Sequence, residues 1–177
     1  MSILDLLGLK RGARRPEAGD TETVRKIVRE LDALQPERAR YLAAFAYLLS
    51  RAANADLEIS DEETRKMERL LQDTGHLPEE QAVLAVQIAK SQSRLFGGTE
   101  NFLVAREFKE IATREQCEEL LHCLFAVSAA DDSISSAEEA QIRQVASELG
   151  FSLAEYTAIR AGYNDKRDVL KQMRRPD

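Results

Sequence analysis

Apolar residues recur along this chain at intervals of three and four, and no segment alternates as a strand would. The pattern predicts an all-helical protein. Val24, Ile27, Val28, Leu31 and Leu34 mark a first helix over about 20–34, with Asp20 as its N-cap and Gln35-Pro36 as its stop. A second helix over about 37–54 buries Leu42, Phe45, Ala46, Leu49 and Ala52. A third over about 61–74 presents Met67, Leu70 and Leu71 and ends at Gly75. Pro78 takes the first position of a fourth, Ala-rich helix that runs to about Ser91. The stretch from Ser91 to Asn101, holding Gly97-Gly98, reads as a connector. A fifth helix follows over about 100–112 with Val104, Phe108 and Ile111, and a sixth over about 114–129 opens on a Thr113–Gln116 capping box. The seventh, about 136–149, carries Ile142, Val145, Ala146 and Leu149 and closes at Gly150. Ser152 and Glu155 then start a short eighth, and residues from Asp165 to Met173 add a basic last turn.

Beneath this periodicity lies a longer one. At a constant offset of 75 the chain pairs Ala55 with Ala130, Asp56 with Asp131, Ile59 with Ile134, Ser60 with Ser135, Glu63 with Glu138, Gly75 with Gly150 and Glu80 with Glu155. Apolar positions obey the same offset: Phe45 and Leu120, Leu49 and Leu124, Met67 and Ile142. The expectation is a compact bundle of about eight helices, built from two related units of helix, acidic corner and helix. The first unit covers about 37–92 and the second about 113–162.

Size and charge narrow the function. A chain of 177 residues with 44% hydrophobic content can bury one core without disulfides or a structural metal. The net charge is −6, and it is uneven. Residues 1–19 and 163–177 carry +2 each, which leaves −10 on residues 20–162. An acidic body flanked by basic ends argues against nucleic acid as partner, because phosphates require clustered Lys and Arg. Cys117 and Cys123, six apart on one helix, face directions about 240° apart and do not suit a mutual disulfide, so a reducing compartment and a cytoplasmic location are expected. Ile3, Leu4, Leu6, Leu7 and Leu9, followed by Lys10, Arg11, Arg14 and Arg15, suit either leucines docked on the body or a small segment resting on a membrane surface through residues 1–15.

The two corners hold the candidate chemistry. Ser60 with Glu63 and Ser135 with Glu138 both fit S-x-x-E, in which serine caps the N3 amide and glutamate caps the serine amide. Asp56 and Asp131 stand just past a helix C-terminus, where the dipole disfavours an anion, and so need a compensating group. An Asx-turn or a nearby arginine would serve, and so would a hard cation, since carboxylates and carbonyls are its preferred ligands. A twelve-residue calcium loop is excluded. Counted from Asp56 it needs glycine where Asp61 stands and glutamate where Met67 stands; counted from Asp131 those places hold Ser136 and Ile142. If the two units pack about a pseudo-twofold axis, Asp56, Glu63, Asp131 and Glu138 converge, and an ion or protons must relieve their repulsion.

The paired motif Ala-Asp-x-x-Ile-Ser-x-x-Glu, with an apolar residue four beyond the glutamate and glycine at the helix end, resembles the TerB-like family of tellurite-resistance proteins. The likeness spans about residues 37–162 and is fullest from Leu124 to Ser152. It implies an all-helical domain of two related halves over residues 20–162, between a basic segment 1–19 and a basic tail 163–177. It also implies a divalent metal site (calcium, magnesium or manganese) on Asp56, Glu63, Asp131 and Glu138, a role in stress responses and contacts with other proteins. The glycine usual after the motif's aspartate is Leu57 in one corner and Asp132 in the other. Other chemistry is sparse. His122 lies about 140° round its helix from Cys117, poor spacing for a shared metal, and His76 falls in a turn. No nucleophile beside a base and no phosphate-cradling glycine loop can be assembled, so the chain is expected not to be an enzyme. The alternative to a metal-binding stress protein is a helical interaction module whose acidic residues serve only as helix caps.

Overall fold

Helices account for most of the described residues of the computed structural model, which are 18–52, 60–92 and 101–173. Asp56, the Gly97-Gly98 connector and the leucine-rich basic start lie outside them. In chain order the helices are α1 (Ala18–Asp32), α2 (Pro36–Ala52), α3 (Asp61–Asp73), α4 (Glu79–Gln92), α5 (Asn101–Ile111), α6 (Arg114–Ser128), α7 (Ser136–Glu148), α8 (Leu153–Ala161) and α9 (Asp168–Met173), with a 3-10 turn, Ala129–Asp131, after α6. The all-α expectation and all eight expected helices are present.

Three local expectations change. α1 already runs at Ala18, so Asp20 is a first-turn residue rather than an N-cap. The amide of Ala82 donates to the carbonyl of Pro78 (2.9 Å), which places this proline at the N-cap of α4, one position before the first helical residue. Pro36 takes the N1 position of α2 instead, where its missing N–H costs nothing. Residues 163–173, expected to lie in a basic tail with a last helical turn, do more than that. They fold back, end in α9, and pair with Ile134, whose amide donates to Lys166 O (2.8 Å) and whose carbonyl accepts from Asp168 N (3.1 Å).

The core has two axial helices. Tyr41 to Leu49 is an unbroken apolar run, and every one of its side chains is buried, as is Ala39. A helix apolar on all sides must sit inside other helices, and α2 packs against α1, α4, α5, α6 and α7. Leu42, Phe45, Ala46, Leu49 and Ala52 are buried as the sequence predicts, and the unbroken run Tyr41–Leu49 extends the burial to the other sides of the helix. α6 is the second axis, burying Cys117, Leu120, Leu121, Cys123, Leu124, Phe125 and Val127. Tyr41, Phe45 and Phe108 form an aromatic group on the α2–α5 side, with centroids 5.2–6.3 Å apart.

The corner helices keep the 75-residue spacing: α3 begins at Asp61 and α7 at Ser136, and both run for 13 residues. Contacts between the halves are reciprocal, α2 on α7 and α6 on α3. One tie is a buried fork in which Arg51 donates to both oxygens of Glu148 (2.6 and 3.2 Å). The halves diverge after the corner helices. α4 has 14 residues against 9 for α8, and the left-handed turn residue is His76 in one and Gly150 in the other. Gly75 is required for another reason: a Cβ there would stand 2.8 Å from Leu71 O and 2.9 Å from the Cys123 sulfur.

Candidate functional site: the acidic corners

Both corner glutamates are caps. Ser60 adopts the extended backbone of an N-cap, and its hydroxyl oxygen accepts from Glu63 N (3.2 Å) while Glu63 Oε2 accepts from Ser60 N (2.7 Å) and Oγ (2.8 Å). Ser135 and Glu138 repeat this, with distances of 3.2, 2.9 and 2.8 Å. Donation from the Ser60 amide, then from its hydroxyl, holds the Glu63 carboxyl below its ordinary value. Thr113–Gln116 and Ser152–Glu155 form the same box, as the sequence predicts. Glu155 is lowered to about 2 by the Ser152 amide and hydroxyl and by Arg114.

The second corner is described throughout. After the 3-10 turn, Asp132 takes a left-handed conformation (φ 66°, ψ 15°). Aspartate tolerates this conformation better than most residues. Asp131 lies exposed and closes an Asx-turn, accepting from Ser133 N (3.2 Å). This is one of the compensations the sequence allowed for. Three lysines complete the corner. Lys66, from α3, donates to Ala130 O; Lys166 pairs with the Asp132 carboxylate, and Lys171 donates to Asp132 O. The hydrogen bond from Lys166, ahead of its charge, lowers the Asp132 carboxyl and raises the Lys166 ammonium in return.

Behind this charged rim lies a second layer. Arg167, 9% exposed, forks onto Glu139 through Nε (2.8 Å) and Nη2 (2.7 Å) and reaches Asn164 Oδ1 through Nη1 (3.1 Å). Arg160 donates to the same carboxylate (3.0 Å). Burial alone would raise the Glu139 carboxyl, but the two guanidiniums outweigh it and hold it below its ordinary 4.5. Tyr163 stacks on Phe125 (4.9 Å, 13°), and its hydroxyl donates to His122 O (3.2 Å). That uses the hydroxyl's only proton, so the 3.1 Å contact with His122 Nδ1 is a donation from the ring.

Of the four carboxylates singled out in the sequence, Glu63 and Glu138 sit at N3 of α3 and α7, Asp131 on the exposed turn, and Asp56 outside the described residues. Lys66 brings α3 to the second corner, yet among the described residues no three His, Cys, Asp or Glu side chains gather as a metal site would require. The second corner does not fit a dication as folded, since ammonium groups already lie on Ala130 O, Asp132 O and the Asp132 carboxylate. Sequence reasoning missed Lys66, Lys166, Lys171 and the Arg167–Glu139 fork. The sequence signal for Lys166 and Arg167 is the Asp165-Lys-Arg-Asp168 run, which reads locally as a basic last turn and does not reveal the partners. Among the described residues no helix is long and apolar enough to cross a membrane, and Cys117 and Cys123 are buried free thiols, the latter pushed up to about 12 by burial.

A family model described as tellurite resistance protein TerB matches residues 41–161. No curated protein and no solved structure matches the chain. The match covers more than half of the sequence, from within α2 to the end of α8, and takes in both axial helices and both corner helices, so the chain belongs to the TerB family.

Proposed function

We propose that this TerB-family chain acts without catalysis, as a tellurite-resistance-type stress-response protein of the cytoplasm that works by contacting other proteins. One observation carries the reading: the polar groups of the described corners are satisfied within the chain, the glutamates by their own capping boxes, Asp131 by an Asx-turn and the Ala130–Asp132 oxygens by three lysines. Contact area is supplied by Phe102 and Leu103 of α5, 60% and 52% exposed. The test is survival of a tellurite-sensitive host expressing the chain. A Phe102→Ser/Leu103→Ser variant should fold and lose protection, whereas Asp131→Asn should keep it; the opposite pattern overturns the reading.

A second reading places calcium, magnesium or manganese on Asp56, Glu63, Asp131 and Glu138. The Lys66 contact favours it by bringing α3 to the second corner, and Glu63 and Glu138 each use only Oε2 in their boxes. Lys66 would then have to leave Ala130 O. Calorimetric titration with the three ions separates the readings: a saturable site lost in Asp131→Asn and Glu138→Gln favours the ion, and no binding favours the first.

A further inference from the structure

We propose that residues 163–173 are a releasable strap over the second corner, closed mainly by charge and hydrogen bonds with the Tyr163 ring as its main apolar contact, whose opening uncovers Phe125, Ile134 and the Glu139 carboxylate. The strap lies beyond Ala161, where the family match ends. Its composition sets it apart from the other helices. α9 buries none of its residues fully: Val169 and Met173 are 40% and 78% exposed, and Leu170 is half-buried. Burial of apolar surface is the main force holding a helix to a core, and α9 offers little of it, through Leu170 alone.

What holds the strap is mainly polar and falls into two sets. The outer set consists of Lys166 and Lys171 on Asp132 and of Ser133 Oγ donating to Asp168 (2.5 Å). The Asp132 side chain is 82% exposed, so these charges are open to screening by salt. The inner set is the Arg167–Glu139 fork, the two backbone bonds to Ile134 and the Tyr163 ring on Phe125. Under the strap, Ile134 is 1% exposed and Phe125 fully buried. A segment with little apolar contact and several exposed polar ties belongs to the low end of the range of local opening free energies. The strap therefore opens as a unit while α2 and α6 stay closed, and salt sets how often.

Hydrogen exchange of the full chain, followed by mass spectrometry at about 0.01 M and about 1 M salt, tests this, because the screening length falls from about 30 Å to about 3 Å between them. Strap amides should exchange about tenfold faster at high salt, with those of Tyr41–Leu49 unchanged as internal reference. Asp132→Asn removes the lysines' partner charge while suiting the left-handed turn, and should give fast strap exchange at both salts. Glu139→Gln should accelerate it further. Strap amides as protected as Tyr41–Leu49 at both salts, or a rise shared equally by the whole chain, would overturn the proposal, and Asp132→Asn decides it even where Glu139→Gln fails to fold.

Discussion

At the scale of single residues, the corners show how one side chain can look like a ligand and act as a cap. Glu63 and Glu138 carry charge where a helix N-terminus welcomes it, and each ties down the amide and hydroxyl of the serine three residues before it. Ser135→Ala should therefore lower stability by about 1 kcal/mol in urea unfolding, by the same amount with and without added divalent ion. Metal-dependent destabilisation would assign the corner to an ion instead. Glu139 makes a prediction in pH. Arg167 and Arg160 hold its carboxyl below 4.5, so its contribution is complete above the unfolded value and disappears as pH falls through the lower folded value. Urea midpoints measured from about pH 6 down to about pH 3 should fall less steeply in Glu139→Gln than in the parent chain. A parallel decline would mean that other carboxylates carry the acid sensitivity.

At the scale of elements, legibility followed periodicity. Helices α3, α6, α7 and α8 were readable because capping boxes mark where they begin, and α3 and α7 also because Ser60, Glu63 and Met67 are matched 75 residues on by Ser135, Glu138 and Ile142. α2 was legible through Leu42, Phe45, Ala46, Leu49 and Ala52, all buried as expected, and the unbroken apolar run Tyr41–Leu49, which has no polar face, carries that burial to every side. The strap was least legible, since a six-residue helix without a buried side chain has no apolar period to read, and its attachments are pairwise charges between residues about 35 apart in sequence. The candidate ion site was legible only as a list of carboxylates; their surroundings depend on lysines from α3 and the strap that no local pattern brings together. Gly75 shows the same limit. As a helix end it was expected, while the requirement for glycine comes from Cys123 on α6. Gly75→Ala should cost about 1–3 kcal/mol in urea unfolding, because the new methyl group meets Leu71 O as well as a sulfur. An unchanged midpoint would show that α3 and α6 can separate freely there.

Over the whole molecule, the question is whether the two halves fold as one. They share α2 and α6 as common axes, so neither half can close its core alone, and the most buried polar tie between them is the Arg51–Glu148 fork, with side chains 6% and 11% exposed. Charges at such depth lose much of their hydration, and their mutual attraction restores it only while both are present. Removing one should be costly: Arg51→Met leaves Glu148 buried without its guanidinium, and Glu148→Leu leaves the guanidinium without its carboxylate, each by about 3–5 kcal/mol. The double variant removes both charges and keeps roughly the same volume of side chain at the α2–α7 contact. It should recover most of either loss, so that the coupling measured in a double-mutant cycle is large while the net change is small. Urea unfolding followed by far-ultraviolet dichroism and by tyrosine fluorescence reads both quantities. Coincident curves in all four proteins are expected of one cooperative core. Curves that separate in the single variants, with one half melting first, would show that the fork, rather than the shared axial helices, is what makes the halves a single unit.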